Sequence, residues 1–584
     1  MIKIFKNFTK KQFGFIAGAL VFIVLQVFLD LKLPDYMAEI TRLVETPGSK
    51  MADILSRGGM MLLCAFASML CSVAVVYFGA KVSGGLSMTL RGKVYDKVMS
   101  FSVAENRRFS TASLINRTTN DINQIQNLVA MGLQAIIKAP ILAIWAIIKI
   151  SGKSFQWMSA TAAALALLII MLATTLLVAH PRFKKIQTLT DNLSRVTREQ
   201  LTGIRIVRAY NADKYQEEKF DEANRSLAEN NLVAHRVMAI MQPGMTFISS
   251  ALTLSVYWIG AYMINDAARF DRLGIFSDMV VFSNYAIQVI MAFMMLNMIF
   301  ILLPRAQVSA KRINEVFETE PAVHDGTIDG SVAEVSGEIE FRGVSFRYPN
   351  AHSNALSDIT FSARRGQTVA FIGATGSGKT TLVNLVERFY DATEGEILID
   401  GINIKDMTLH SLHNKIGFVA QKANLFSGTV ASNIGYGENS KSDDDLRFAA
   451  EIAQSTDFIE ALPDKFDSHI AQGGTNVSGG QRQRLTIARA IAHKPEILIF
   501  DDSFSALDYS TDRALRAALN EKTDGVTKLI VAQRIGTIRS ADKIIVLDKG
   551  RIVGEGTHGQ LIKNCPVYLE IAQSQLSKEE IENG

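Results

Sequence analysis

The sequence predicts two joined folds: an α-helical transmembrane bundle of six spans with long cytoplasmic extensions, followed by an α/β domain. The 584 residues are 48% hydrophobic and 20% charged, with a mean hydropathy of +0.16. Residues 1–320 contain 34 basic and 22 acidic side chains, which leaves 27 of the 61 basic and 35 of the 57 acidic ones for residues 321–584. A basic, apolar first part and an acidic second part are typical of a membrane domain joined to a soluble one, and disfavour a nucleic-acid-binding protein.

The membrane part is predicted from six apolar stretches, each long enough to cross a hydrocarbon core of roughly 30 Å. They lie at approximately 13–31, 58–80, 133–151, 157–178, 246–265 and 279–303. Lys and Arg concentrate at the N-terminus and in residues 81–125 and 181–240. These segments are therefore expected in the cytoplasm, which places both termini there. The first stretch is interpreted as a retained span because its apolar run exceeds that of a signal peptide.

The two cytoplasmic connections are predicted to continue the spans as helices, because they contain almost no Gly or Pro. Polar and small residues interrupt the helical pattern at 101–111 and 211–220, which we expect to be elbows that dock on the second domain. Lys138, near the start of the third span, is interpreted as an anchor that reaches the membrane interface. The last span leaves two interpretations open, a permissive substrate surface or ordinary packing. Both rest on its methionines, Met291, Met294, Met295 and Met298.

The second domain is predicted to bind a nucleotide through a phosphate-binding loop. A transmembrane domain at 1–320 and a linker at 321–336 precede it, and it occupies 337–584. A buried strand at 368–372 leads into a GxxxxGKT loop and then a helical pattern. The expected phosphate-binding residues are Gly373, Ala374, Thr375, Gly376, Ser377, Gly378, Lys379, Thr380 and Thr381. Backbone N–H groups would surround the phosphates, Lys379 would reach the β and γ phosphates, and Thr380 would hold Mg²⁺. A second strand ends at Asp501, an acid suited to the same ion.

A further motif, Ser478-Gly479-Gly480-Gln481, opens a helix shortly before that acidic strand. With these motifs in this order, the chain resembles the ATP-binding cassette (ABC) family. The resemblance covers the whole chain, because six spans followed by one cassette is the arrangement of an exporter-type half-transporter, here of the bacterial multidrug kind. It implies that Tyr348 stacks on adenine, that Gln421 senses the γ-phosphate and Mg²⁺, and that Asp508 lies in a loop crossing a dimer interface. In this family each SGGQ motif completes the ATP site of the partner cassette.

Two positions depart from the family pattern within the same site, and a third departs outside it. Asp502 stands where the family has a Glu that acts as general base, and Gln533 stands where it has a His. Losing one methylene withdraws the carboxylate by roughly 1 to 1.5 Å, and a misplacement of about 1 Å can cost on the order of a hundredfold in rate. Gln533 cannot become cationic. We expect a site that binds ATP and hydrolyses it slowly, although drift at either position is the alternative. Gln472 replaces a Glu usual in exporters.

The leading functional hypothesis is a heterodimer with a different ABC half-transporter that supplies the missing Glu and His. This complex would move amphiphilic or hydrophobic compounds, drug-like, lipid or peptide, out of the cytoplasm by alternating access. It would lie in the bacterial cytoplasmic membrane, with ATP and Mg²⁺ as cofactors and no nucleic-acid partner. The alternatives are a slow homodimeric exporter and a regulatory membrane ABC protein that moves no substrate. An importer is disfavoured because importers usually carry their cassettes on separate chains.

Overall fold

The chain divides into two compact units in a computed structural model. One unit comprises Met1–Lys97 and Ala112–Glu318, and the other comprises Val98–Thr111 and Thr319–Gly584. The structure describes all residues except 47, 153, 269–270, 331–336, 350, 438–440, 578–580 and 582–584. The longer segment of the second unit thus begins at Thr319, and the end of the predicted linker, 331–336, lies outside the described residues.

The first unit is entirely helical in its described part. Its helices are α1 (Ile2–Phe5), α2 (Lys10–Glu45), α3 (Met51–Met99), α5 (Thr111–Asn116), α6 (Ile122–Gly132), α7 (Ala139–Ser151), α8 (Phe155–Thr202), α9 (Ile204–Ala209), α10 (Asp213–Ala239), α11 (Met241–Asp266) and α12 (Arg272–Glu318), with α4 (Val103–Phe109) assigned to the second unit. Two π-helical turns, Arg117–Asp121 and Leu133–Lys138, join α5, α6 and α7 into one long helix.

Six of these helical segments are long and apolar enough to cross a membrane, so the predicted number of spans is confirmed. They are Lys10–Val44, Met51–Met99, Thr111–Ser151, Phe155–Thr175, Asp213–Asp266 and Arg272–Leu296. The helices exceed the apolar stretches: α3 has 49 residues, or about 74 Å at 1.5 Å per residue. That excess is the predicted helical extension beyond the bilayer.

Polar contacts inside the first unit show that the interpretation of Lys138 was wrong. Its ammonium lies 3.2 Å from a carboxylate oxygen of Asp30 on α2, and only 17% of its side chain is exposed. An intramembrane charge is stabilised by pairing with an opposite charge, and this pairing replaces the expected reach to the interface. A second pair, Lys149 to Asp35 at 2.8 Å, also joins α7 to α2.

The two predicted elbows differ in structure. Residues 101–111 contain the short helix α4 (Val103–Phe109), whose capping box joins Ser102 to Glu105. Val103 and Ala104 pack against the core of the second unit. In residues 211–220 only the first two are outside a helix, because α10 begins at Asp213. Docking of residues 211–220 on a cassette therefore stays a prediction.

The second unit has the predicted α/β fold. Its strands are β1 (Ile339–Phe346), β2 (Leu356–Ala363), β3 (Thr368–Ile372), β4 (Glu394–Ile399), β5 (Ile402–Asn403), β6 (Ile416–Val419), β7 (Gly428–Thr429), β8 (His469–Ile470), β9 (Ile497–Asp501), β10 (Thr527–Val531), β11 (Lys543–Asp548) and β12 (Arg551–Gly556). Its remaining helices are α13 (Lys379–Val386), α14 (Leu409–Lys415), α15 (Val430–Ile434), α16 (Asp443–Ile452), α17 (Thr456–Glu460), α18 (Gly479–Ala492), α19 (Tyr509–Lys522), α20 (Ile535–Ile538), α21 (His558–Asn564) and α22 (Pro566–Gln575).

The main sheet brings the predicted motifs to one edge. Its strand order is β12-β11-β3-β10-β9-β6, and all neighbours are parallel except β11 and β12. An antiparallel sheet, β2-β1-β4-β5, forms a separate layer. The phosphate loop follows β3, Asp501 ends β9, and Gln533 lies just after β10. Because parallel strands end at the same sheet edge, these three motifs become neighbours.

Candidate functional site

The loop between β3 and α13 requires glycine where its backbone turns. Gly376 and Gly378 have φ angles of +83° and +105°, which favour residues without a Cβ. At Gly378 a Cβ would also lie 2.6 Å from Leu356 Cδ2. Lys379 opens α13 and donates hydrogen bonds from Nζ to the carbonyl oxygens of Gly373 at 2.8 Å and Ala374 at 2.9 Å. The ammonium therefore lies within the loop, and burial lowers its pKa.

Oxygen atoms from three elements lie beside this loop. Thr380 Oγ1 donates to Asp501 Oδ1 at 2.9 Å. Asp501 is 3% exposed, and burial raises the pKa of its carboxyl. Gln421, after β6, provides an amide to the same region. Hydroxyl, carboxylate and amide oxygens are ligands suited to a hard divalent cation such as Mg²⁺, so the residues present fit that ion.

Asp502 is held by two glutamine amides. Its Oδ2 accepts hydrogen bonds from Gln533 Nε2 at 2.8 Å and Gln421 Nε2 at 3.2 Å. Its backbone N–H donates to the Val531 carbonyl at 3.0 Å, and its φ of +50° lies in the left-handed region that Asp tolerates better than most residues. Both positions that depart from the family pattern, 502 and 533, are thus in direct contact.

Tyr348 lies beside the first turn of α13, which follows the loop. Its hydroxyl shares a hydrogen bond with Thr381 Oγ1 at 2.9 Å. Its ring meets that of Tyr390 at 5.3 Å and 86°, and that of Phe346 at 4.9 Å and 79°. These edge contacts hold the ring in one orientation.

One cavity of about 370 Å³, here called the loop cavity, collects most of the predicted residues. Its lining is Tyr348, Ala355, Thr375, Gly376, Gly378, Lys379, Thr380, Thr381, Gln421, Asp502, Val531 and Gln533. Sequence reasoning missed Ala355 and Val531. Val531 ends β10 at the sheet edge where the motifs meet, which was a usable signal, whereas nothing in the sequence marks Ala355.

The SGGQ motif and Asp508 do not line the loop cavity. Ser478 is the N-cap of α18: its hydroxyl accepts from the Gln481 N–H at 3.2 Å, and Gln481 Oε1 accepts from the Ser478 N–H at 2.9 Å. Ser478 and Gly479 are exposed. Asp508 caps α19, and hydrogen bonds from Ser510 and Thr511 lower the pKa of its carboxyl. Both motifs thus present helix N-termini outside the cavity.

Comparison with known proteins identifies the family. Residues 15–293 match the family "ABC transporter transmembrane region" and residues 356–505 match "ABC transporter". An uncharacterized ABC transporter ATP-binding protein of Mycobacterium tuberculosis is 37% identical, over 94% of this chain and 93% of the relative. An ATP-dependent lipid A-core flippase of Pseudomonas fluorescens is 33% identical, over 85% and 81%.

The fold also matches a solved structure. A bacterial Atm1-family ABC exporter with ATP bound has a TM-score of 0.81 and 23% identity, and the match covers 97% of this chain and 99% of the other. Because residues 356–505 match the ABC transporter family, the α/β unit with its phosphate loop is an ATP-binding domain. The chain belongs to the ABC transporter family, as an ATPase-coupled exporter that carries its transmembrane region and its ATP-binding domain on one polypeptide.

Proposed function

We propose that this chain is one half of a heterodimeric exporter whose own ATP site binds nucleotide but hydrolyses it slowly. The observation that carries the proposal is the pair of amides on Asp502, at 2.8 and 3.2 Å from the same carboxylate oxygen. A general base must direct a free lone pair at the attacking water. At Asp502 two N–H groups hold Oδ2 and so fix the carboxylate in place, and the side chain is one methylene too short to reach forward to the water.

The remaining residues of the loop cavity are assigned to binding. The glycines and Lys379 hold the β and γ phosphates, and Tyr348 stacks on adenine. Thr380, Asp501 and Gln421 hold Mg²⁺, which when bound neutralises charge on the phosphate oxygens. Gln533 keeps a hydrogen bond to Asp502 but supplies no positive charge. The site therefore retains its affinity for ATP and lacks the groups that speed hydrolysis.

The exposed N-terminus of α18 serves the partner. Gly479 and Gly480, between the capping residues Ser478 and Gln481, present backbone N–H groups that the capping box does not use. They lie at the positive end of a 14-residue helix, an arrangement that favours a phosphate. Asp508, in the neighbouring loop, completes the same surface. In the complex these residues close over the ATP of a different half-transporter, which supplies its own Glu and His.

Transport by alternating access follows from six spans joined to an ATP-driven unit. The basic surplus of residues 1–320 favours an orientation in which both termini and the ATP-binding domain lie in the cytoplasm of a bacterial cell. The transmembrane domain is assigned to 1–320, the linker to 321–336 and the ATP-binding domain to 337–584. The substrate is amphiphilic or hydrophobic. The flippase relative, which acts on a lipid, supports this class.

The decisive experiment compares two substitutions in the complex that co-purifies with this chain. Ser478→Ala should lower steady-state ATP hydrolysis strongly, because it damages the fast site, whereas Asp502→Asn should change it little. Equal losses would contradict asymmetric sites. If this chain, purified alone, formed a homodimer that hydrolysed ATP at the rate of ordinary exporters, the proposal that its own ATP site is slow would be contradicted. ATP-dependent accumulation of a compound in inside-out vesicles separates transport from a regulatory role.

A further inference from the structure

The first unit contains a cavity of about 530 Å³ that none of the motifs above uses. It lies between α3, the helix formed by α6 and the π-turn Leu133–Lys138, and α12. Small side chains, including Ala80 and Ala130, leave the space, and Gln134 enters it from the π-turn. We call it the membrane cavity. π-Turns of this kind are frequent at functional sites because they redirect side chains.

The walls of the membrane cavity are apolar with a few neutral polar groups. Gln126 and Gln134 contribute amides, and Met131 and Met295 contribute thioethers. None of its described lining residues carries a charge. Flexible methionines adapt to varied apolar guests, while amides both donate and accept hydrogen bonds. Of the methionines predicted to form a substrate surface, Met295 lines this cavity, and the side chain of Met298 lies outside the described residues.

The lysine closest in sequence to the lining residue Gln134 is paired with a carboxylate. Lys138 lies one helical turn beyond Gln134, and its ammonium pairs with Asp30 at 3.2 Å. Ser68 donates a further hydrogen bond to the same carboxylate. An anionic guest would have to separate this pair and leave Asp30 uncompensated in an apolar setting, which is strongly unfavourable. The cavity thus offers no free positive charge from this direction.

The polar groups that a guest in the cavity could reach are the hydroxyl of Ser83 and the amides of Gln126 and Gln134, because these residues line it. Each of these groups can both donate and accept a hydrogen bond, so a guest with hydrogen-bonding groups would be favoured over a purely apolar one.

We propose that the membrane cavity binds the transported substrate, and that this substrate is an uncharged amphiphile with hydrogen-bonding groups. The volume falls within the range of roughly 300 to 1,000 Å³ typical of sites for drug-sized molecules. A phosphorylated lipid would bring negative charge to walls that have no free cation. The inference rests on the proposed exporter function and narrows its substrate class from amphiphiles in general to neutral ones.

The test is photolabelling of the full-length chain in inside-out membrane vesicles, where its natural partner can be present. Three probes share a benzophenone core and carry a neutral, an anionic or a cationic substituent: 4-(hydroxymethyl)benzophenone, 4-benzoylbenzoate and (4-benzoylbenzyl)trimethylammonium. Photoexcited benzophenones insert readily into C–H bonds beside the sulfur of methionine. Peptide mapping then compares labelling of Met131 and Met295 with that of Met69, which is 51% exposed within the second predicted span and corrects for partitioning into the membrane.

We expect the neutral probe to label Met131 and Met295 at least about fivefold more than either charged probe, because charge is costly in an apolar wall. Ala130→Leu fills the cavity and should remove this labelling, while Ala166→Leu, at an exposed position of α8, should not. Equal labelling by the charged probes, or labelling unchanged in Ala130→Leu, would overturn the proposal. Labelling of the cavity needs no ATP, whereas transport does. Vesicles that show the expected labelling but do not accumulate substrate when ATP is added would therefore contradict the exporter function and leave the assignment of the cavity intact.

Discussion

A glutamate at position 502 should accelerate ATP hydrolysis at the site that we propose to be slow. The added methylene moves the carboxylate forward by about 1.3 Å, one carbon–carbon bond projected on the side-chain axis. It then extends past the Gln533 amide that holds Asp502 Oδ2 at 2.8 Å. Since a misplacement of about 1 Å corresponds to about a hundredfold in rate, or about 2.7 kcal/mol, the gain should lie between about 10- and 100-fold.

This gain in rate can be measured only when the partner's ATP site, which we propose to be the faster one, does not hydrolyse ATP. In the proposed heterodimer, Ser478→Ala on this chain disables the partner's site, so phosphate release from the Ser478→Ala complex should report mainly the site of Asp502. Adding Asp502→Glu to that background should raise the residual rate by the stated factor, and Asp502→Asn should leave it within about twofold. Glu is less tolerated than Asp at a φ of +50°, so the variant should also be less stable by about 1 kcal/mol. A rate unchanged by Asp502→Glu would refute the reasoning.

Three further predictions concern the ATP-binding unit. Lys379→Met should weaken ATP binding by about 10- to 100-fold, measured by displacement of a fluorescent nucleotide, because it removes the phosphate-binding ammonium. Lys415→Met removes the cation that pairs with the carboxylates of Asp400 and Glu496, and should lower local stability by about 3 to 5 kcal/mol. The exposed control Lys465→Met should lower it by under about 0.5 kcal/mol. Hydrogen exchange of the β9 amides measures both changes. Burial raises the pKa of Glu387 from 4.5 to about 8, so the folded protein binds the carboxyl proton more tightly than the unfolded chain does. The free energy by which Glu387 destabilises the folded state therefore grows as the pH rises between those two values. Glu387→Gln should therefore protect α13 increasingly from pH 5 to pH 8 relative to the native chain, whereas curves parallel to those of the exposed control Glu521→Gln would contradict this.

Local sequence patterns predicted most of the architecture. Six apolar stretches sufficed for the number of spans, because crossing a bilayer imposes a length and a composition that the sequence must carry. The phosphate loop was equally readable, since Gly376 and Gly378 occupy backbone conformations that other residues avoid. Ten predicted residues then meet in the loop cavity. Most of them do so because parallel strands end at one sheet edge, whereas Tyr348 follows β1 of the antiparallel sheet.

The misses involve contacts between residues distant in the chain. Lys138 pairs with Asp30, more than a hundred residues earlier, and a lysine near an apolar stretch gives no sign of such a partner. Ala355 lines the loop cavity only because of how the chain passes beside Tyr348 and Thr381. Likewise, the shared contact of Gln421 and Gln533 with one oxygen of Asp502 depends on three strands, and only the side-chain types were visible beforehand.

The assignment of α4 to the second unit has a practical consequence for producing the ATP-binding domain alone. A recombinant fragment that starts at Thr319 loses Val103 and Ala104, which cover part of the core around Tyr390, and removes Glu105, whose carboxylate accepts a hydrogen bond from the Ala322 N–H at 3.3 Å. Such a fragment exposes an apolar patch to water, so it should aggregate more readily than the intact chain. A peptide of residues 98–111 added in trans should improve its solubility, since the fragment is completed by a piece of chain from more than two hundred residues upstream.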